Sequence, residues 1–230
     1  MDLYGQQGRS IPQKTVIIVL EILLIWLSWW IMFQAGGKII FTWLGIQKPP
    51  VAIAERKWII FIFSIVIFIR LGFMMLFLLK RKIPWEESIS VPIAFALYYI
   101  GFALLVLPSG NSIDLLDYLG IILFVKGCFL NTFGELQRYF WKKNPMNKGK
   151  LFTKGLFAYS MHINYFGDVL WVSGYALITR NYYAILIPLF LFSFFAFYNI
   201  PKLDKYLALK YKEQFQAYRK KTKRFIPFIW

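Results

Sequence analysis

Long apolar runs separated by short polar segments are the dominant pattern of this chain. A helix that crosses about 30 Å of hydrocarbon needs roughly 20 mainly apolar residues, and six runs approach or exceed that length. They cover residues 15–33, 58–79, 89–107, 115–136, 164–179 and 182–200. A shorter run at 37–46 is typical of an interfacial or re-entrant segment. The pattern predicts an all-α fold, a polytopic membrane helix bundle of six to seven transmembrane helices.

The segment after Pro201 has a different pattern. Apolar and aromatic side chains recur there at steps of four, four and three, with lysines and arginines on the other face. The positions of this stripe are Leu207, Tyr211, Phe215 and Tyr218. The spacing predicts a C-terminal amphipathic cytosolic helix that lies on the membrane surface.

Composition narrows the class of protein. Of the 230 residues, 59% are hydrophobic and only 17% are charged, whereas a soluble domain has about 45 to 50% apolar and about 25% charged residues. An ordinary soluble enzyme is therefore excluded. The chain has one cysteine, Cys128, and one histidine, His162, which excludes a disulfide framework and metal sites built from several such residues. We expect no metal, and chemistry that uses carboxylates, tyrosines, amides and cations with an organic cofactor.

The distribution of lysine and arginine predicts the orientation in the membrane. Fifteen of the 27 basic residues lie at 138–154 and 202–224, whereas the turns at 108–111 and 180–181 carry one between them. Because cytoplasmic loops retain positive charge, we predict a multi-pass protein with both termini and the cofactor pocket on the cytoplasmic side. The segment 35–57 departs from this rule, since it carries basic residues on the predicted outer side: Lys38, Lys48, Arg56 and Lys57.

The net charge of +16 has more than one interpretation. A basic surface can bind nucleic acid, but beside membrane spans it is typical of contact with anionic lipid. We therefore expect the lipid bilayer, and no nucleic acid, as the partner of the basic segments, and no obligate protein partner is indicated. A pocket for a phosphorylated cofactor is a third interpretation that stays open.

Charged side chains interrupt the predicted spans, among them Glu21 and Arg70. A charge at the centre of a span costs about 2.5 to 3.5 kcal/mol on insertion scales, so such residues need a partner or a polar cavity. Arg70 offers a forked donor that suits phosphate or carboxylate. A structural ion pair is the alternative for both residues.

The densest polar segment runs from residue 131 to residue 168, where the fourth predicted span ends and the fifth begins. It gathers amides, hydroxyls, carboxylates, six basic side chains and the one histidine within 38 residues. His162, Tyr165 and Asp168 recur at steps of three, which places them on adjoining turns of a helix that begins near His162. We expect Asp168 and His162 to face one polar pocket, although a histidine beside tyrosines is also typical of an aromatic belt at a membrane surface.

Two motifs in the second half of the chain carry a resemblance to a known family. The first motif, at 137–177, resembles the core of the steroid 5-alpha-reductase C-terminal-domain family of membrane NADPH-dependent reductases, and it reads QRYFWKKNPMNKGKLFTKGLFAYSMHINYFGDVLWVSGYAL. The second motif is similar to the family's closing pattern, and it reads IPKLDKYLALKYKEQFQAYRKKTKRFIPFIW. Met161 replaces the usual arginine, and Ile163 replaces a frequent proline. The matching positions of the first motif are Gly155, Tyr159, Ser160, His162, Asn164, Tyr165, Gly167 and Asp168.

The sequence has no low-complexity linker, composition break or internal repeat, which predicts one integral membrane domain, 1–230, with N-terminal spans at 1–130. The resemblance covers 131–230 and implies that this half binds the cofactor. The steroid enzymes use a membrane glutamate and a tyrosine to hold and protonate the carbonyl of the substrate, and this chain offers Glu21 with Tyr98 or Tyr99 for these catalytic roles. The resemblance also implies a set of cofactor-binding residues, in which Arg138 and Lys154 substitute for the missing arginine. This set is Arg70, Asn131, Glu135, Arg138, Lys154, Tyr159, His162, Asn164, Tyr165, Asp168, Asp204, Tyr211 and Tyr218.

The leading functional hypothesis is NADPH-dependent reduction of an activated carbon-carbon double bond in a steroid-like or other lipid-soluble enone. It follows from the segment HINYFGD, which resembles the motif of the reductases more than that of the methyltransferases, and from the basic residues beside the motif. The superfamily is also similar to sterol C14-reductases and isoprenylcysteine carboxyl methyltransferases. The alternative is therefore methyl transfer from S-adenosylmethionine to a lipid or isoprenylcysteine-type carboxylate. A non-catalytic membrane protein that retains the pocket is a third hypothesis.

Overall fold

The computed structural model describes residues 8–46 and 52–230, which form helices and contain no β-strand. Lys48, one of the basic residues expected on the outer side, lies outside the described residues. The prediction of an all-α fold is confirmed. The helices are α1 Ile11–Phe33, α2 Gly36–Trp43, α3 Ala54–Phe73, α4 Trp85–Ala96, α5 Phe102–Val106, α6 Leu115–Lys143, α7 Ile163–Thr179, α8 Leu186–Phe194, α9 Ile200–Tyr211 and α10 Glu213–Lys221, with π-helical turns at Met74–Leu78, Leu97–Gly101 and Phe195–Asn199.

Among the described residues, five helical segments are long and apolar enough to cross a membrane. This fits a multi-pass integral membrane protein, while the side on which the termini lie stays a prediction. Helix α7, at the fifth predicted span, has 17 residues, and α2 has eight, so both fall short of the roughly 20 that a span needs. The predicted count of six to seven spans is therefore not confirmed. The five segments are Ile11–Phe33, Ala54–Leu78, Trp85–Val106, Leu115–Lys143 and Tyr182–Tyr211.

The basic tail forms two helices instead of one amphipathic helix. Lys212, between α9 and α10, has a φ of 45°, a left-handed conformation that interrupts a right-handed helix. The predicted stripe nevertheless packs inward, because Tyr211, Phe215 and Tyr218 form one buried cluster with Met161. The prediction of one helix on the membrane surface is therefore not confirmed. The apolar spacing continues across the break because one residue with a positive φ barely shifts the hydrophobic period.

The chain folds into two compact units. The first unit contains the described residues up to Ile121 together with Tyr175–Ile185, and the second unit contains Ile122–Gly174 and Leu186–Trp230. Helices α6 and α7 contribute residues to both. The expectation of a single membrane domain at 1–230 stays a prediction. The polar segment and the basic tail both belong to the second unit, which therefore holds most of the candidate cofactor residues.

In the first unit, α1 buries one face along its whole length. The buried residues of this helix, at the spacing of a packed helical face, are Lys14, Ile17, Glu21, Ile25, Ser28, Ile31 and Met32. The Lys14 ammonium group donates to the carbonyl oxygens of Met75, at 2.6 Å, and Leu79, at 3.2 Å. These oxygens lie where the helix that begins with α3 ends, and the last carbonyls of a helix have no partner within it. Lys14 therefore caps a neighbouring helix, where a cation is also favoured by the helix dipole.

Arg56, near the start of α3, is fully buried and forms an ion pair with Asp117 of α6. Its Nε and Nη2 atoms donate to the two carboxylate oxygens at 3.1 and 2.9 Å. Its remaining N–H groups reach the Ser109 hydroxyl at 2.7 Å and the carbonyl oxygens of residues 111–112. Arg180 also donates to Asp117, at 2.8 Å. The Arg56 charge is thus neutralised by a carboxylate within the fold.

Replacing Asp117 with asparagine should lower the free energy of unfolding by about 3 to 5 kcal/mol, because a buried charge then loses its counter-ion. Glu87→Gln is the matched control, since Glu87 forms a partly exposed ion pair with Arg81 and loss of such a pair costs about 0 to 1 kcal/mol. Denaturant unfolding in detergent measures both. Equal destabilisation by the two substitutions would contradict a structural role for the Arg56 pair.

Candidate functional site

Two glycines allow α6 and α7 to make close backbone contact in the second unit. A Cβ atom added at Gly127 would lie 2.3 Å from the backbone nitrogen of Trp171, and one added at Gly167 would lie 2.7 Å from the backbone nitrogen of Asn131. Only glycine fits at these positions, because the atoms in the way belong to the backbone. Small residues permit such close helix crossings inside membranes. The crossing brings the polar side chains of the two helices together.

A network of amides and carboxylates lies beside this crossing. Asn131 Nδ2 donates to Asp168 Oδ1 at 2.8 Å and to the carbonyl oxygen of Asn164 at 3.2 Å. One turn further along α6, Asn164 Nδ2 donates to Glu135 Oε1 at 2.9 Å, and Arg138 forms an ion pair with the other oxygen of Glu135. The three residues of α6 share a face because they are spaced four and three apart. The network holds two carboxylates and one guanidinium group.

His162 lies directly before α7 and is only 2% exposed. Its Nε2 atom is 2.8 Å from Asp204 Oδ1, and Arg224 Nε donates to the other oxygen of Asp204 at 2.8 Å. The imidazole ring stacks on the ring of Tyr165, with centroids 5.7 Å apart. Asp204 therefore orients the imidazole ring through Nε2.

The tail after α10 is fastened to the segment before α7. The backbone N–H of Met161 donates to the carbonyl oxygen of Lys223 at 2.8 Å, and the Tyr218 hydroxyl donates to the carbonyl oxygen of Phe157. Burial raises the pKa of Tyr218, so the phenol remains a donor at neutral pH. These contacts place Arg224, the residue after Lys223, beside the histidine pair.

A separate group of buried polar side chains lies in the first unit. The carboxyl group of Glu21 faces the hydroxyl group of Tyr99, and both residues are fully buried. Neither group has a hydrogen bond of normal geometry among the described residues. Tyr99 lies in the π-helical turn Leu97–Gly101, a type of turn frequent at functional sites. Arg70 acts electrostatically on Tyr99, whereas the ring of Tyr98 packs against aromatic neighbours.

The residues predicted from the motif have different surroundings in the structure. Asp168 accepts from Asn131, whereas His162 pairs with Asp204. That His162 and Asp168 face one polar pocket stays a prediction. Tyr211 belongs to the apolar cluster around Met161. Lys154 and Tyr159 are exposed, and the ring of Tyr159 contacts Phe228.

Two residues that hydrogen-bond to carboxylates of the site were not predicted from the sequence. Trp171 Nε1 donates to Asp168 Oδ1 at 2.8 Å, and Arg224 holds Asp204. Trp171 sits among apolar residues of a span, and Arg224 sits among several basic residues of the tail, so neither position stands out. The helix crossing could have been predicted from the sequence, because Gly127 precedes Asn131 by four residues and Gly167 directly precedes Asp168.

These features define an all-helical, multi-pass integral membrane protein with a partly buried candidate site of carboxylates, amides and one histidine. The chain belongs to the family described as "Protein of unknown function (DUF1295)", whose model matches residues 25–222, and this family lies within the steroid 5-alpha-reductase-like superfamily. The resemblance at 131–230 is confirmed at this level. The chain is also similar to "Probable O-methyltransferase ustE" of Ustilaginoidea virens, with 40% identity over 88 residues, which cover 38% of this chain and 31% of that protein. The match thus spans about a third of the relative.

Gly167→Ala should destabilise the protein by about 1 to 3 kcal/mol, because the added methyl group meets backbone atoms of α6 and forces the helices apart. Gly134→Ala is the control in the same unit, since a Cβ atom there would lie 3.5 Å from the ring of Phe157, an ordinary contact. Thermal unfolding in detergent should show a lower midpoint for the first variant only. A Gly167→Ala midpoint equal to that of the parent would contradict the close crossing.

Proposed function

We propose that the protein is a membrane O-methyltransferase that uses S-adenosylmethionine and methylates a lipid-soluble acceptor. The observation that carries this proposal is the group of three carboxylates that amide, imidazole and guanidinium groups hold in the second unit. The partial relative named as a probable O-methyltransferase supports the same reaction. Methyl transfer thereby replaces enone reduction, the leading hypothesis from the sequence. The carboxylates are Glu135, Asp168 and Asp204, and the guanidinium groups that pair with them are Arg138 and Arg224.

The charge of the site fits this cofactor better than a dinucleotide. S-adenosylmethionine has a sulfonium and an ammonium cation against one carboxylate, whereas NADPH carries three phosphate groups. Carboxylates bind an ammonium group through strong charge-assisted hydrogen bonds, and they repel phosphates, since like charges brought together cost several kcal/mol. Both guanidinium groups are already balanced by carboxylates. Met161 lies in an apolar cluster where the family has an arginine, so it offers no phosphate contact.

The residues of the α6 and α7 crossing have distinct roles in this proposal. Glu135 and Asp168 would bind the ammonium group of the cofactor, and Arg138 would hold Glu135 in place through their ion pair. Asn131 and Asn164 would orient the two acids, because their amides already donate to them at 2.8 and 2.9 Å. When bound, the cofactor supplies an activated methyl group for an acceptor oxygen.

His162 would serve as the general base. Its Nδ1 atom would accept the proton of an acceptor hydroxyl group as that oxygen becomes methylated, a role that contributes typically 10²- to 10⁴-fold to a rate. Asp204 would stabilise the imidazolium that forms, as an oriented carboxylate does in other histidine-dependent enzymes. Arg224 keeps Asp204 in place during this transfer.

S-adenosylmethionine should raise the thermal unfolding midpoint of the purified protein in detergent. A ligand that binds only the folded state stabilises it by about 2.7 kcal/mol at a concentration 100 times its Kd. Glu135→Gln should remove most of this shift, whereas Glu213→Gln should retain it, because Glu213 is an exposed acid of the same unit. The proposal fails if S-adenosylmethionine gives no shift, or if the two variants lose it equally.

His162→Gln should lower the rate of methyl transfer about 10²- to 10⁴-fold, because glutamine can hydrogen-bond to Asp204 but has no basic nitrogen. The measurement is the transfer of a labelled methyl group from S-adenosylmethionine into an organic extract of host membranes. The thermal shift with the cofactor should remain in this variant. If the shift disappears together with the activity, His162 binds the cofactor and is not the base.

A second candidate function is NADPH-dependent reduction of a lipid-soluble enone, which the Glu21 and Tyr99 pair favours. A buried phenol and carboxyl group that lack other partners suit the carbonyl oxygen of a substrate, to which the phenol would donate. Arg70 adds positive charge near the phenol.

If NADPH stabilises the protein and S-adenosylmethionine does not, the reductase replaces the methyltransferase. Tyr99→Phe should then lower turnover with an enone, because it removes the donor to the carbonyl oxygen, while the thermal shift with NADPH stays unchanged. Tyr98→Phe, one residue away in the same helical turn, is the control and should retain turnover. Equal losses in the two variants would argue against this pairing.

A further inference from the structure

A groove of about 500 Å³ lies between the segment before α7 and helix α10, within the second unit. None of the three carboxylates of the candidate site lines it. Its polar walls are formed by Thr153, Gln214, Lys221 and Thr222, and apolar surface is provided by Leu151 and Ala217. The side-chain oxygen of Gln214 accepts from the backbone N–H of Leu151 at 3.0 Å. This bond holds the amide in one orientation and leaves its NH₂ group as a donor.

The two segments that form the groove contain one acidic residue, Glu213 at the start of α10, and it does not line the groove. Residues 143–160 include four lysines, and residues 214–230 include five lysines and arginines. Lys221 brings one of these charges into the groove. The hydroxyls of Thr153 and Thr222 add neutral donors at the same place. A cation surrounded by hydroxyl and amide donors is the combination that binds phosphate oxygens, through charge-assisted hydrogen bonds.

Exposed aromatic and apolar side chains flank the groove on the same two segments. Tyr159 directly follows the lining residue Ala158, and its ring contacts Phe228. Phe228 and Ile229 are 76 and 74% exposed. Aromatic rings are enriched at the headgroup level of membranes, and anionic lipids attract basic clusters beside membrane spans. These neighbours favour a phosphate presented by the bilayer over one in solution.

We propose that this groove binds the headgroup phosphate of an anionic phospholipid. Lys221 supplies the charge, and the hydroxyls of Thr153 and Thr222 supply hydrogen bonds that a diffuse basic surface lacks. None of the residues to which the proposed methyl transfer assigns a role lines this groove. A lipid held there joins α10 to the segment before α7, and so reinforces the contact by which Lys223 binds Met161.

Thermal unfolding of the full chain in mixed micelles tests this site, with phosphatidylglycerol as the anionic probe and phosphatidylcholine as the zwitterionic one. Phosphatidylglycerol should raise the midpoint more than phosphatidylcholine. The double variant T153V/T222V keeps the charge and nearly the volume of the groove, and it should weaken the apparent affinity for phosphatidylglycerol about tenfold, since it removes two hydrogen bonds to a charged group. Thr42→Val, at an exposed position of α2 in the first unit, should leave that affinity unchanged.

Lys221→Gln and Lys205→Gln form the matched charge pair, because Lys205 is an exposed lysine of α9 outside the groove. Only the first should weaken binding of phosphatidylglycerol. Equal losses in this pair, with T153V/T222V unaffected, would show diffuse attraction and overturn the proposal. An equal shift with inorganic pyrophosphate or NADPH that is lost in T153V/T222V would assign the groove to a soluble phosphate. The shift with S-adenosylmethionine should survive in T153V/T222V, so the two proposals fail independently.

Discussion

The candidate site depends on one steric constraint, the contact between the backbones of α6 and α7 at Gly127 and Gly167. At a wider helix spacing, Asn131 could not reach Asp168 at 2.8 Å, nor Asn164 reach Glu135 one turn away. A carboxylate in an apolar environment is unfavourable unless donors surround it. The close contact of the two helices brings amide donors to the carboxylates. The same contact therefore holds the helices together and stabilises the carboxylates between them.

Buried polar groups of the first unit fall into two kinds. Arg56 has partners for its guanidinium N–H groups in Asp117 and in nearby oxygen atoms, as a structural ion pair requires. Glu21 and Tyr99 are equally buried, but their polar atoms lack hydrogen bonds among the described residues. Polar groups in a span are costly and tend to mark functional positions. The two kinds are therefore equally buried and differ in the hydrogen bonds that their polar atoms make among the described residues.

Local spacing explains what could be predicted from the sequence. The helices, the buried stripe of the tail and the shared face of Asn131 and Glu135 all follow from periods of three and four residues. The partners of these residues could not be predicted, because they depend on which helices pack together. In the sequence, Arg56 looks like a charged residue of a loop. In the structure it pairs with Asp117, which lies 61 positions away along the chain. Arg224 differs from its basic neighbours in the tail only through its contact with Asp204.

The left-handed turn at Lys212 has a consequence for the synthesis of the protein. It separates α10 from α9, and the residues that follow return to the segment before α7, where Lys223 binds Met161 and Arg224 binds Asp204. These residues leave the ribosome after all five candidate spans. The surroundings of the histidine are therefore complete only after the candidate spans have been synthesised, because two of the contacts that build them come from the last part of the chain.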